Sequence, residues 1–330
     1  MRSIREMGER EVIRIIIEKL GPLPSLPIPF GDDVAAVRFD GERLIVIKTD
    51  MLVGKTDIPP GMSIRQAARK AIVMCVSDFA AKGVKPLAAL VSLGLPPNLT
   101  EGDVEEVGLG LSDGANEYGV PIIGGDTNEA SDLIIDCMMV GICEEKKIVK
   151  RSGARPGDIL AVTGHFGKTS AGLKILLEGL SPPSHIREPL VESVLLPKAR
   201  LREGLILADL GALTASIDSS DGLAWSLYEI SEASRVGFII RHIPVAPEVK
   251  LFSEIYGLDP VAMSLYGGEE YELVVTVRPE FFDEANSILR GVGAQLIEVG
   301  EVIGEKEIYL EACGGKIPIE RKGWEHFKST

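Results

Sequence analysis

Carboxylates at the ends of apolar segments are the residues of this sequence best equipped for chemistry. Asp32 and Asp33 follow Gly31 in GDDVAAV. Adjacent carboxylates in a turn repel unless a cation or hydrogen-bond donors stand between them. An Asx-turn or a helix cap would satisfy them as well. Asp50 follows the β-rich run RLIVIKT. That places it at the predicted carboxyl end of a strand, where residues of α/β folds often face a ligand crevice. Asp126 lies in IIGGDT, predicted as a strand running into a glycine turn that a ligand can approach closely. Asp218 and Asp221 lie in SIDSSDGL, between a predicted strand and a helix. There they could hold a metal while Ser220 and the free amides of the helix start donate to phosphate oxygens. Plain N-capping is the other reading.

Asp78 is the most informative. Residues 63–82 predict a helix, with Ser63 and Gln66 at capping-box spacing and Gly83 suited to the C′ position. Ala67, Ala71, Met74, Asp78 and Ala81 share one small, apolar face that should pack inward. A buried, unpaired carboxylate is costly, so Asp78 needs a metal, a cation or a set of donors. A structural ion pair would also serve. Aspartates this far apart converge only through the fold. Once converged, they form a multi-Mg²⁺ site, the equipment of phosphoryl transfer.

The rest of the sequence narrows the chemistry. The chain has 330 residues, 45% hydrophobic and 25% charged, with a formal net charge of −14. Such a balance argues against a nucleic-acid partner. It also means that a phosphate substrate must arrive with cations. TGHFGKTS at 163–170 imitates a phosphate loop, but Val162 stands where the first glycine should be and the spacing is two residues short. His165, His185, His242 and His326 form no recognisable nucleophile–base pattern. Cys75, Cys137, Cys143 and Cys313 are spaced as free thiols. The charged, amphipathic N-terminus and the lack of a 20-residue apolar run predict a cytoplasmic protein with no membrane span.

The elements that must position these residues alternate between helix and strand. A helix is predicted over 4–20, then a proline-rich link, GPLPSLPIP, and strands at 43–49 and 87–93. A helix follows at 101–118, and strands at 121–128 and 133–142. The turn-rich KRSGARPGD marks a domain boundary. Beyond it come the strand DILAVTG, a helix over 168–179 and a linker rich in Pro and Ser. The strand and turn TASIDSSDG, a helix at 223–234 and the segments ELVVTV, PEFFDEANSILRG, LIEVGEVI and EIYL complete the pattern. The expectation is two mixed α/β domains, 1–148 and 149–330.

GDDVAAV, KTDMLV, VSDFAAKGVKPLAALVSLGLP, GGDT, RSGARPGD, SIDSSDGL, GGEEYEL and GWEHF occur in the order found in the thiamine-monophosphate kinase family, an archaeal-type variant of which the sequence resembles. That family belongs to the superfamily of aminoimidazole-ribonucleotide synthetase. The resemblance implies an aminoimidazole-ribonucleotide-synthetase-like fold and a homodimer paired through the N-terminal sheets. It implies ATP in a cleft bordered by both domains and direct γ-phosphate transfer to thiamine monophosphate, without a catalytic base. Asp32, Lys48 (through its carbonyl), Thr49, Asp50, Asp78, Asp126, Asp218 and Asp221 are the implied Mg²⁺ ligands. Gly125, Asp126, Arg151 and Ser220 are the implied ATP contacts, and Asp57, Glu269 and Trp324 the implied substrate contacts. A carboxylate and an aromatic face suit a cationic thiazolium ring. Three positions depart from the family pattern: Asp57 replaces a substrate-binding His, Glu270 an Asp, and Lys168 an acidic residue. A related ATP-dependent kinase or synthetase of the same superfamily, acting on another small phosphate or amide, and a non-catalytic nucleotide-binding module are the alternative readings.

Overall fold

The helix predicted over 63–82 is the axle of the molecule. The computed structural model describes residues 2–21, 25–312 and 315–327. Cys313 and part of the proline-rich link lie outside them. The N-terminal elements are α1 (Ile4–Met7), α2 (Glu9–Leu20), β1 (Ala35–Arg38), β2 (Arg43–Val53), α3 (Gly54–Asp57), α4 (Ile64–Lys82), β3 (Pro86–Leu95), α5 (Glu101–Tyr118), β4 (Ile122–Glu129) and β5 (Ile134–Glu144). Ser63 and Gln66 close the capping box of α4, and Gly83 ends it in the left-handed conformation. Alanines keep the helix thin, so nearly every residue from Ala67 to Lys82 is buried. The helix packs on α5, the first sheet and, from the C-terminal half, α8 and β7, introduced below.

The first sheet has strand order β1-β2-β5-β3-β4. Alternation along β2 turns Val46, Lys48, Asp50 and Leu52 toward α4, and Thr49 and Met51 to the opposite face. β3 and β4 are parallel; the other pairs are antiparallel.

The C-terminal half contains β6 (Ile159–Val162), α6 (Lys168–Glu178), α7 (Ser184–Leu195), α8 (Leu201–Leu210), β7 (Leu213–Asp218), α9 (Leu223–Ser234) and β8 (Gly237–Ile240). It continues with α10 (Pro247–Tyr256), α11 (Pro260–Tyr266), β9 (Leu273–Val277), α12 (Pro279–Gly291), β10 (Ile297–Ile303), β11 (Ile308–Ala312) and β12 (Gly315–Pro318). Its seven strands run in the order β12-β11-β8-β10-β6-β9-β7. One core cluster joins α4 to Leu207, Leu273 and Val275, so the halves share apolar interior.

The mixed α/β expectation holds, with four corrections. Gly8, at φ 76°, divides the predicted 4–20 helix into α1 and α2. β2 runs on to Val53, so Asp50 lies inside a strand rather than at its end. IIGGDT makes no turn: β4 continues to Glu129. Its Gly125 is required by close packing, because a Cβ there would stand 1.8 Å from the Val91 carbonyl oxygen. The predicted Pro/Ser linker contains the helix α7. Ile186, Leu190, Val191 and Val194 recur there at helical spacing and are buried, which outweighs the break expected from Pro189.

The contact between α4 and α8 sets the spacing of the halves. A Cβ on Gly204 would stand 2.0 Å from the Ala80 carbonyl oxygen. Gly204→Val should destabilise the protein by about 1–3 kcal/mol through overpacking and should also depress activity. Urea denaturation with the wild-type midpoint would contradict this packing.

Candidate active site

Four elements bring carboxylates to the junction of the halves. Carboxylate oxygens of Asp33, Asp78 and Asp218 lie within 4.8 Å of one another. Asp33 comes from the turn before β1, Asp78 from α4 and Asp218 from the end of β7. Asp50 joins them from β2 through a shared cation: Lys48 Nζ is 2.9 Å from Asp78 Oδ2 and 3.3 Å from Asp50 Oδ1. Ser77 Oγ donates to Asp218 Oδ2 at 2.7 Å.

Cations hold the rest. Lys82 Nζ, fully buried, stands 2.6 Å from Asp32 Oδ1 and 2.7 Å from Asp33 Oδ2, and donates to the Ser216 carbonyl at 2.7 Å. Arg151 Nε donates to Asp33 Oδ1 at 2.7 Å, and its amide donates to Asp32 Oδ2 at 3.0 Å. The Arg151 guanidinium also reaches Glu229 and the Gly31 carbonyl.

The electrostatics follow from this layout. Burial pushes Asp33 up, but Arg151 and Lys82 outweigh it and hold the group below the usual carboxylate range. Burial pushes Asp78 well up; Lys48 opposes the shift, while Asp50, Asp218 and Asp33 add to it. Burial and repulsion from Asp33 raise Asp218 to about 7. Burial, with Glu9, raises Asp221 to about 6. A cluster of desolvated carboxylate oxygens suits a hard, oxygen-seeking divalent cation such as Mg²⁺.

Two of the three substrate residues expected from the sequence, Asp57 and Glu269, meet through another buried lysine. Lys70 Nζ is 2.5 Å from Glu269 Oε1 and donates to the Asp57 carbonyl at 3.0 Å. One oxygen of the Asp57 carboxylate accepts from the Val53 amide at 2.7 Å. Glu269 and Tyr271 hold positive φ angles of 61° and 52°, an uncommon conformation for such side chains. The Glu269–Glu272 segment alternates. Glu269 reaches Lys70, and Tyr271 lies among Asp218, Asp50 and Asp57. Glu270 and Glu272 turn to a separate cavity of about 510 Å³, lined also by His165, Lys168 and Arg200. Glu270 accepts from the amides of Gly167 at 2.7 Å and Thr169 at 3.1 Å. Burial nevertheless raises it to about 8. The start of α6, the phosphate-loop imitation, is therefore filled by the protein's own carboxyl group. Trp324 is 42% exposed; its amide donates to the Asp221 carbonyl at 3.0 Å, beside Gly268. Ser220 accepts the Glu269 amide at 2.6 Å through its carbonyl.

Two expected ligands lie elsewhere. Thr49 Oγ1 donates to Asp136 Oδ1 at 2.6 Å on the far face of the first sheet. Asp126 shares that face: its register places it opposite Ser92, which pairs with Asp136. Gly125 and Asp126 stand on β4, the exposed edge strand. Three strand spacings, about 14 Å, separate β4 from β2.

Residues 31–143 match the family "AIR synthase related protein, N-terminal domain" and 155–313 its C-terminal domain. The chain is 36% identical over 323 residues to the thiamine-monophosphate kinase of Nitrosopumilus maritimus, covering 98% of this chain and 99% of that protein. It is 38% identical over 326 residues to the thiamine-monophosphate kinase of Pyrococcus horikoshii, covering 98% and 97%. The chain belongs to the thiamine-monophosphate kinase family. Its fold matches the solved structure of AaThiL complexed with AMPPCP and TMP with a TM-score of 0.86 and 29% identity, covering 99% of both chains. No helix among the described residues is long and apolar enough to cross a membrane.

The buried lysines of α4 stand outside the pattern of the aspartates in this family member. Lys82 lies one turn after Asp78, at a spacing that puts both on one face of the helix. Lys70, eight residues before Asp78, lies about a quarter turn away and faces Glu269 instead, so spacing from Asp78 is a signal for Lys82 alone. Asp33, read with Asp32 in the turn but left out of the implied ligand set, is buried as well, so GDD contributes both carboxylates to the junction.

The raised groups make a pH prediction. Asp218, Asp221 and Glu270 have folded-state values above those of an unfolded chain, about 4. Their stabilisation is complete below about pH 4 and is lost as the pH rises through about 6 to 8. Asp33 acts oppositely, losing its contribution only as the pH falls below about 4. Calorimetry of protein in EDTA should therefore show a lower melting temperature at about pH 8 than at about pH 5. Mg²⁺ should raise it more at the higher pH, because it takes ionised carboxylates. A metal-free melting temperature that climbs over this range would contradict the assignment.

Proposed function

We propose that this chain phosphorylates thiamine monophosphate to thiamine diphosphate, with ATP as co-substrate and Mg²⁺ held by the aspartates at the junction. Its membership of the thiamine-monophosphate kinase family carries the reading. The carboxylate cluster supplies the chemistry. An oxygen of the acceptor phosphate attacks Pγ in line, the bond from Pγ to the β–γ bridging oxygen breaks, and ADP leaves with that electron pair. The acceptor is already an anion, so alignment and charge neutralisation suffice. Bound Mg²⁺ would neutralise the phosphates and polarise Pγ.

Asp32, Asp50, Asp78, Asp218 and Asp221, with the carbonyl of Lys48, are the proposed ligands, and Asp33 joins them. Arg151, which holds Asp33, and Ser220, two residues after Asp218, are assigned to the phosphates. Glu269, Asp57 and Trp324 are assigned to thiamine. Glu269 offers the charge that a thiazolium requires, and Lys70 fixes its position. The domain division at 148/149 belongs to the same proposal.

Thr49, Gly125 and Asp126 require a second chain. The outer face of the first sheet exposes Met51, Leu87, Ile123 and Ile142. Apolar exposure on a sheet face supports a homodimer stacked there. In that dimer, Asp126 serves the site of the partner subunit, because in its own chain it lies across the sheet from Asp78.

Incubation with Mg²⁺-ATP and thiamine monophosphate should yield thiamine diphosphate and ADP in equal amounts. Intact ATP, or release of inorganic phosphate in place of transfer, would refute the kinase reading. Asp78→Asn and Asp126→Asn should each abolish turnover. Co-refolded in equal amounts, they should recover about a quarter of wild-type activity, since half the dimers then hold one intact site. Two inactive variants that stay inactive together would place both aspartates in one chain's site.

A further inference from the structure

Two lysines neutralise the carboxylates at the junction, and they are built differently. Lys82 is enclosed, with its side chain 0% exposed, and three acceptors surround its ammonium: Asp32, Asp33 and the Ser216 carbonyl. It has nowhere to go. Lys48 is 23% exposed along its side chain. It stands on β2, and its ammonium bridges the carboxylates of Asp78 and Asp50. Those two acceptors are among the metal ligands proposed above. Without a cation between them, Asp50 and Asp78 would repel each other, and Asp78 already carries the repulsion of Asp33 and Asp218.

We infer that the Lys48 ammonium is an internal stand-in for metal, bridging Asp50 and Asp78 in the metal-free protein and withdrawing toward solvent when Mg²⁺ takes those carboxylates. The flexible four-carbon stem permits the movement, and the exposed flank of the side chain provides the path. An ammonium satisfies the same oxygens as a divalent ion but with half the charge. It therefore keeps the site folded without committing it. Mg²⁺ alone must compete with Lys48. Mg²⁺ carried by nucleotide phosphates brings additional ligands and wins more readily. The lysine thus couples metal loading to nucleotide loading.

The inference rests on Asp50 and Asp78 being metal ligands, and its test separates the two claims. Mn²⁺ would be titrated into nucleotide-free protein, with free Mn²⁺ read by electron paramagnetic resonance, for wild type, Lys48→Met, Lys48→Gln and Lys48→Arg. Lys48→Met and Lys48→Gln should bind Mn²⁺ roughly tenfold more tightly, as expected when a competing cation is removed. Lys48→Arg should resemble wild type. Both neutral variants should melt below wild type in EDTA and regain most of the difference in Mg²⁺. A residue that only braces the fold would lower melting equally in both conditions. Should Lys48→Met not fold, the Gln variant retains an amide donor and carries the test. Unchanged Mn²⁺ affinity in the folded neutral variants would overturn the inference. Wild-type affinity in Asp78→Asn would instead overturn the ligand assignment beneath it.

Discussion

Carboxylates taken out of water must be neutralised, and that requirement organises this structure. Asp33, Asp78 and Asp218 are buried within 4.8 Å of one another. Removing such groups from solvent costs several kcal/mol each unless cations or donors compensate. The compensation comes from the first half of the chain and the segment that joins the halves: Lys48 from β2, Ser77 and Lys82 from α4, and Arg151 from the joining segment. Because α4 carries Ser77, Asp78 and Lys82 on the surface that meets β7, the site exists only when the halves are docked. The shared apolar cluster around α4 is thus what holds the charges in register.

The same principle explains what satisfies the start of α6. Its free amides are an anion site by construction. Glu270 occupies it from within, at 2.7 Å from the Gly167 nitrogen. The Glu269–Glu272 segment serves two sides of the domain at once, and the positive φ at Glu269 and Tyr271 is the distortion that lets it do so.

Much of this was legible in the residues. The capping box, the alanine-rich face and the inward Asp78 placed α4 correctly because helical periodicity over many residues is a strong signal. The order of eight motifs carried the family, to which relatives 36% and 38% identical over 98% of the chain belong. What failed was local. IIGGDT reads as a turn because glycine pairs usually mark one, yet Gly125 is there to let β4 lie against Val91. Thr49 and Asp50 are neighbours in sequence, but a strand's two-residue period sends their side chains to opposite faces. Sequence order alone does not state which face is inner. Counter-ions carry no motif of their own: Lys82 was legible only as the i+4 neighbour of Asp78, and Lys70, which meets Glu269 from a distant segment, was not legible at all.

If the neutralised carboxylate cluster is a divalent-metal site, anomalous diffraction from crystals grown with Mn²⁺ and a non-hydrolysable ATP analogue reads it most directly. Anomalous peaks should appear at coordination distance, about 2.0–2.3 Å, from Asp78 and Asp218 carboxylate oxygens, with the nucleotide phosphates beside them. Nucleotide density with no anomalous peak among these carboxylates, and Lys48 still bridging Asp50 and Asp78, would contradict it.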